Sequence, residues 1–373
     1  MCALSCSGPD APPVAPKPVP GRLVFVGTYT GGTTGSDGIY AFEFNEATGA
    51  LTPRGLATTT PSPSFLTASA DRRIVFAVNE LDNYDGAPSG SVTSFAVDAA
   101  AAKLVAISKQ ASRGANPCHL ELDRTGRFLA VANYTGGNYS LLPVASDGRL
   151  EPAIAVVADK GRGPTERQEG PHGHAVTFDA ANRFLIATDL GLDRVLVYRF
   201  DPADGTLLVN KPPSVAMRPG AGPRHFVFHP NGNQAFVINE LDSTITSLKW
   251  DGATGAFSPI RTVSTLPAGV TGSTTAEIRV HPNGRFVYGS NRGHDSIAVY
   301  GVADDGSLKL VEIESTRGKT PRNFTIDPTG RWLLAGNQES STIAVFAIDQ
   351  ATGALALTGD PVPSPTPVSI LFM

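Results

Sequence analysis

From residue 22 onward the chain alternates short apolar runs with polar breaks that carry glycine and proline, and the runs are too short and too β-branched to be helices. One kind of run ends each time in a polar pair: LVFVGTY at Thr28-Tyr29, IVFAVNE at Asn79-Glu80, FLAVANY at Asn133-Tyr134, FLIATDL at Asp189-Leu190, AFVINEL at Asn239-Glu240, FVYGSNR at Asn291-Arg292 and LLAGNQE at Asn337-Gln338. The copies recur at intervals of about 50 residues, regular enough for a repeat and loose enough for loops of varied length. Each copy has the same order, visible in RHFVFHPNGNQAFVINELDSTITSLKWDGATGAFSPI. A strand meets a Pro-Asn-Gly turn, a second strand ends at the polar pair, a third follows, and an Asp-Gly-Ala-Thr-Gly turn leads into a fourth. A four-stranded unit of this size cannot bury both of its faces alone, so the pattern predicts an all-β chain folded as a seven-bladed β-propeller. LVFVGTY has no first strand before it, while Thr366 to Phe372 is a strand with no successor. Blade one is therefore expected to be closed by pairing of the N- and C-terminal strands, which removes two open edges.

Composition narrows the class. With 39 glycines and 30 prolines the chain is too punctuated for a helical protein, and 41% hydrophobic against 17% charged residues supplies a core. A net charge of −4 without a basic stripe excludes a nucleic-acid partner. No apolar run approaches the roughly 18 residues of a membrane span. Cys2, Cys6 and Cys118 cannot build a disulfide framework or a four-cysteine zinc site. The propeller is expected to occupy residues 22–373. Residues 1–21 read as a disordered proline-rich leader, or, through Ala3-Leu4-Ser5-Cys6, as the remnant of a lipoprotein signal. The first reading points to the cytoplasm, the second to a periplasmic or lipid-anchored product.

The polar pairs end equivalent strands, so some of their side chains should meet at one opening of the central channel. The asparagines have a local reading as turn caps. Glu240 and Arg292 are costly at a strand end unless paired, hydrated or used, so they are either a structural ion pair or a base and an oxyanion holder. Glu80 precedes Leu81-Asp82-Asn83-Tyr84-Asp85-Gly86 and reads as part of a solvated loop. Arg224 and His225 open a first strand, and lining up the neighbouring turns sets His174 level with His225, with His172 two residues earlier on the same face. Strand histidines of this kind either bridge blades by hydrogen bonds or act on substrate. His119 and Arg322 open the first strands of the third and seventh units and belong either to the same rim or to blade packing. His229 and His281 precede turns at the far end and read as turn caps. Cys118 reads as a small buried residue. GxSxG, HExxH and GxxxxGK[ST] motifs are absent. Oxygens of Asp189, Asn239, Glu240 and Asn291 would be a thin ligand set for a hard cation, so no metal and no cofactor is expected.

Four stretches, GAGPRHFVFHPN with VINELDSTI, GPHGHAVTFD, AEIRVHPNGRFVYGSNR and TPRNFTID, resemble the seven-bladed lactonase family, and the likeness extends over the whole repeat region. That family includes propeller-type 6-phosphogluconolactonases and a fungal enzyme that closes a carboxymuconate into a lactone. The resemblance implies a metal-independent hydrolase of sugar-acid lactones, with 6-phosphogluconolactone of the pentose phosphate pathway as the expected substrate. The resemblance places the family's His, Arg, Glu and Arg positions on or near His174, Arg224, Glu240 and Arg292, the histidine being either His172 or His174. Glu240, with His174, would take a proton from water, and Arg224 and Arg292 would hold the oxyanion or the substrate's anionic group. His172, His225, His119, Asn239 and Arg322 are expected to bind substrate. The only partner implied is the small lactone, on a monomer or weak oligomer. The alternatives are a muconate-type cycloisomerase using the same rim, or a non-catalytic binding platform.

Overall fold

The computed structural model describes residues 21–32 and 35–373. The leader expected over residues 1–21 lies, apart from Gly21, outside the described residues. Seven antiparallel sheets follow one another along the chain, six of four strands and one with an extra short strand, Val362–Pro363. The innermost strands, from blade one to blade seven, are Pro367–Phe372, Leu66–Ala68, Pro117–Leu122, Gly173–Phe178, Pro223–Phe228, Thr274–Val280 and Pro321–Ile326. Blade one is shared between the ends of the chain, as expected. Pro367–Phe372 pairs with Arg22–Thr28 in the register Val24 to Phe372, Phe25 to Leu371 and Val26 to Ile370. Among the described residues the only helix is a three-residue turn, Glu166–Gln168.

The core does not fill the middle of the ring. It is divided into seven apolar clusters, each made by the facing sides of two adjacent blades. Val24, Val26, Phe42 and Phe44 of blade one pack on Leu334, Ile343 and Val345 of blade seven, so the seam is as apolar as any other interface. This is the burial that a lone four-stranded sheet cannot achieve, and it explains why the strands carry aliphatic residues on both faces.

Turns add polar links between neighbours. The arginines that follow the first turn in four blades, Arg127, Arg183, Arg285 and Arg331, reach backbone carbonyls of Pro202, Gly252, Gln350 and Glu46 in the next blade round. His229 and His281 behave as expected of turn caps, accepting from Asn231 and Asn283 backbone N–H, and each also bonds a glycine carbonyl of the next blade, Gly284 and Gly330.

Candidate functional site

The path by which the chain enters each inner strand sets the site. In four blades a residue in the left-handed region (Asn116, Gly222, Thr320 and Thr366) precedes a proline that starts the strand, where a missing N–H costs nothing. The residue after the proline is then skipped by the pairing. Pro117 faces Asn133 and His119 faces Ala132; Pro223 faces Asn239 and His225 faces Ile238; Pro321 faces Asn337 and Asn323 faces Gly336. Blade four makes the same bulge from Gly173 to Ala175 without a proline. The extra residues are Cys118, Arg224, Arg322 and His174, with the apolar Val368 at the same place in blade one. A bulge re-aims one side chain, and here it sends four of them toward the channel mouth.

This register corrects one expectation. His174 is not level with His225. It occupies the place of Arg224, and the true equivalent of His225 is His119. One residue of slip exchanges the two faces of a strand, so His174 looks to the mouth while His119 and His225 sit deeper in the channel, their ring centroids 5.2 Å apart.

The polar pairs supply the other half of the site, divided by position. The first members turn into their own blades. Asn239 donates to Thr244 and Thr246, Asn291 to the Thr265 carbonyl and Ser296, and Asp189 accepts the N–H groups of His172 and Leu192. Asn239 therefore does not face substrate space, and the oxygens weighed as cation ligands do not converge. Five of the second members, Tyr29, Glu80, Tyr134, Glu240 and Arg292, point into the mouth. Their backbone is pinned by a repeated bond to the entry of the inner strand, from Glu80 N–H to Ser62, Tyr134 to Asn116 and Glu240 to Gly222.

Together these residues line a cavity of about 300 Å³ formed by Tyr29, Glu80, Cys118, Tyr134, Arg167, His174, Glu240, Thr274, Arg292 and Arg322. Glu240 is its electrostatic centre. Its carboxylate lies 3.0 Å from Arg167, 3.1 Å from Arg224 and 2.9 Å from Arg292. Burial pushes the Glu240 carboxyl up, but the guanidiniums of Arg292, Arg224 and Arg167 outweigh it and hold the group at about 2. Burial likewise brings Arg224 down to about 10, still protonated at neutral pH. Arg322 faces the cavity with no described carboxylate within ion-pair distance, and its guanidinium lies 5.2 Å over the Tyr29 ring. Three guanidiniums and two carboxylates thus line a mouth on a chain whose net charge is negative.

A hydrogen-bonded row runs inward from this cluster. Arg224 Nη1 can only donate, so His225 Nε2, 3.1 Å away, accepts, and His225 Nδ1–H donates to Glu277 Oε1 at 3.2 Å. Burial lowers His225 to about 4, consistent with that neutral ring. His119, packed 4.1 Å from Phe65, and His225 are thus behind the cavity wall. His172 stacks on Tyr134 at 4.6 Å and bonds the Tyr134 carbonyl, so it braces a lining residue. A larger cavity, about 1110 Å³, opens at the other end of the channel, where Arg72, Arg124, Arg127 and Arg279 are matched in number by Asp71, Glu121, Asp123 and Glu277. Its charges cancel, so the smaller, cation-rich mouth is the better anion site.

A family profile described as "Lactonase, 7-bladed beta-propeller" matches residues 23–372. The chain belongs to the seven-bladed β-propeller lactonase family. Members similar to it include the 6-phosphogluconolactonase of Bacillus subtilis (strain 168), 37% identical over 94% of this chain and 97% of that one. The 6-phosphogluconolactonase of Pectobacterium carotovorum subsp. carotovorum (strain PC1) is 35% identical over 76% and 82%. Among solved lactonases, the Pseudomonas aeruginosa periplasmic gluconolactonase PpgL superposes with a TM-score of 0.88 at 33% identity, covering 94% of this chain and 98% of that one.

Of the residues the sequence singled out, this lactonase fold gathers Glu240, His174, Arg224, Arg292 and Arg322 at one mouth. Glu80, expected in a solvated loop, lines the same cavity and bonds Tyr29. Tyr29 and Tyr134 were legible as second members of polar pairs. Arg167 was not, because it sits on the loop between blades three and four, where no repeat applies.

Proposed function

We propose that the chain hydrolyses the lactone ring of a phosphorylated sugar acid, 6-phosphogluconolactone in the first place, at the cavity around Glu240. Family membership supports lactone hydrolysis, and the observation that carries the finer reading is the surplus of guanidinium groups in that cavity. Hydrolysis needs a place for charge on the carbonyl oxygen and a hold on the substrate's anionic end. Arg292 and Arg322 are proposed for these two tasks, with Arg167, half exposed at the entrance, closing on the phosphate. Glu240 and Arg224 hold the guanidiniums apart and in place. His174 is buried, and burial, with Arg224 and His225 beside it, keeps its ring well below the ordinary histidine range. It therefore serves as a neutral hydrogen-bonding partner for a substrate hydroxyl.

A second reading has a specific support in the periplasmic gluconolactonase to which the chain is similar: a plain gluconolactone, taken outside the cytoplasm. Among the described residues no helix is long and apolar enough to cross a membrane, and the compartment follows the substrate in this reading. The two are separated by assaying the purified chain with 6-phosphogluconolactone, gluconolactone and a muconate, with and without chelator, above spontaneous hydrolysis. A charge-assisted hydrogen bond contributes about 1.5–3 kcal/mol, so the phosphorylated lactone is expected to be preferred by about tenfold or more in kcat/KM, with no effect of chelator. Equal or better turnover of the plain lactone selects the second reading, and turnover of neither lactone overturns both.

A further inference from the structure

Two carboxylates line the cavity, and their surroundings differ. Glu240 is locked among Arg167, Arg224 and Arg292. Glu80 has no described guanidinium within ion-pair distance, and its two oxygens accept instead from the Tyr29 hydroxyl at 3.0 and 2.9 Å. A general base must keep affinity for a proton near the working pH. The cations around Glu240 remove that affinity. His174 is held neutral by burial and by its cationic neighbours, and burial pushes the Cys118 thiol up.

We propose that Glu80, oriented by Tyr29, takes the proton from the attacking water. The proposal rests on the lactone-hydrolase reading above. Water's oxygen bonds to the lactone carbonyl carbon, one of its protons passes to Glu80, and the carbonyl electron pair moves to the oxygen facing the guanidiniums. Collapse of that intermediate breaks the bond to the ring oxygen, which recovers the proton from Glu80 and leaves as a hydroxyl. The new carboxylic acid then gives up its remaining proton to solvent. Tyr29 is a positioning residue. Arg322 stacks on its ring and fixes the phenol, and the shared hydrogen bond leaves each Glu80 oxygen a free lone pair for water. The ionisable groups that interact with Glu80 from other blades are Tyr29, Arg322 and Cys118; Asp82, two residues on, is exposed.

The test compares Glu80→Gln, Glu80→Asp, Tyr29→Phe and Glu240→Gln in the full chain with 6-phosphogluconolactone, across a pH series, with thermal unfolding of each. Loss of a general base lowers turnover by about 10²–10⁴-fold. Glu80→Gln is expected to lose at least that lower figure in kcat with little change in KM, and to lose the acidic limb of the kcat/KM profile. Glu80→Asp should retain an intermediate rate with the limb present, and Tyr29→Phe should lower kcat and shift the limb. Glu240→Gln should act mainly by raising KM. An active, folded Glu80→Gln with its acidic limb intact overturns the proposal, as does a Glu240→Gln enzyme that alone lacks the limb. Should Glu80→Gln not fold, Tyr29→Phe with unchanged kcat and limb overturns it in its place. A wild-type chain without lactonase activity sinks the underlying reading, which the variants alone cannot do.

Discussion

At the scale of single residues, the fourth blade departs from its neighbours at one position. Five of the seven blades carry asparagine at the end of the second strand, where blade four carries Asp189. Asp189 is fully buried, one oxygen accepts two backbone N–H groups, and the other finds no partner among the described residues. Burial raises its carboxyl to about 6, against an ordinary value of 3.8. A folded-state pKa above the unfolded one means that the ionised form is disfavoured in the native fold. The stability present below pH 4 is therefore lost as pH rises through 6. Asp189→Asn keeps the accepting oxygen and removes the charge, so it is expected to stabilise the chain at pH 8 by up to ~3 kcal/mol and to have little effect at pH 4. Denaturant unfolding of both proteins at the two pH values measures this; equal gains at both would remove ionisation as the cause.

Among larger elements, the turn between third and fourth strands joins each blade to the one before it. Gly255 has φ +70°, and a Cβ there would stand 2.5 Å from the Phe184 ring of blade four, the same arrangement that sets Gly205 on Phe128 and Gly353 on Phe286. Gly232 has nearly the same φ, +73°, with open space around it. Left-handed backbone costs a non-glycine residue roughly 1–2 kcal/mol. Gly232→Ala should lose about that, while Gly255→Ala should lose distinctly more, because an interface aromatic must also move. Comparing their unfolding midpoints separates backbone strain from packing. The same turns were visible in the sequence, as were the strands that flank them, because both obey short periods. The bulges were not. One skipped residue leaves the apolar pattern of HFVFH or HAVTF intact while it changes which side chain faces the channel, and so His174 was matched to the wrong partner. The carboxylate and guanidinium of Glu240 and Arg292 were legible from their cost at a strand end. Arg167 and the Glu80–Tyr29 pair depend on contacts between distant blades, about which local pattern says nothing.

For the whole molecule, stability is a sum of seven similar interfaces, closed by one seam. Removing Pro367–Met373 would strip blade one of its inner strand, expose the edge of Arg22–Thr28 and uncover part of the cluster shared with blade seven. The truncated chain is expected to lose cooperative unfolding and soluble yield, and the Glu240 site should fail with it even though none of its lining residues has been deleted. A truncated chain that still melts in one sharp transition would show the seam to be dispensable. The seam also ties the calendar of synthesis to the fold. Thr366 donates its hydroxyl to the carbonyl of Tyr29, 337 positions earlier. A ribosome building this chain holds an incomplete circle until Pro367–Phe372 has emerged, and a product halted before that strand has six finished petals and one left ajar.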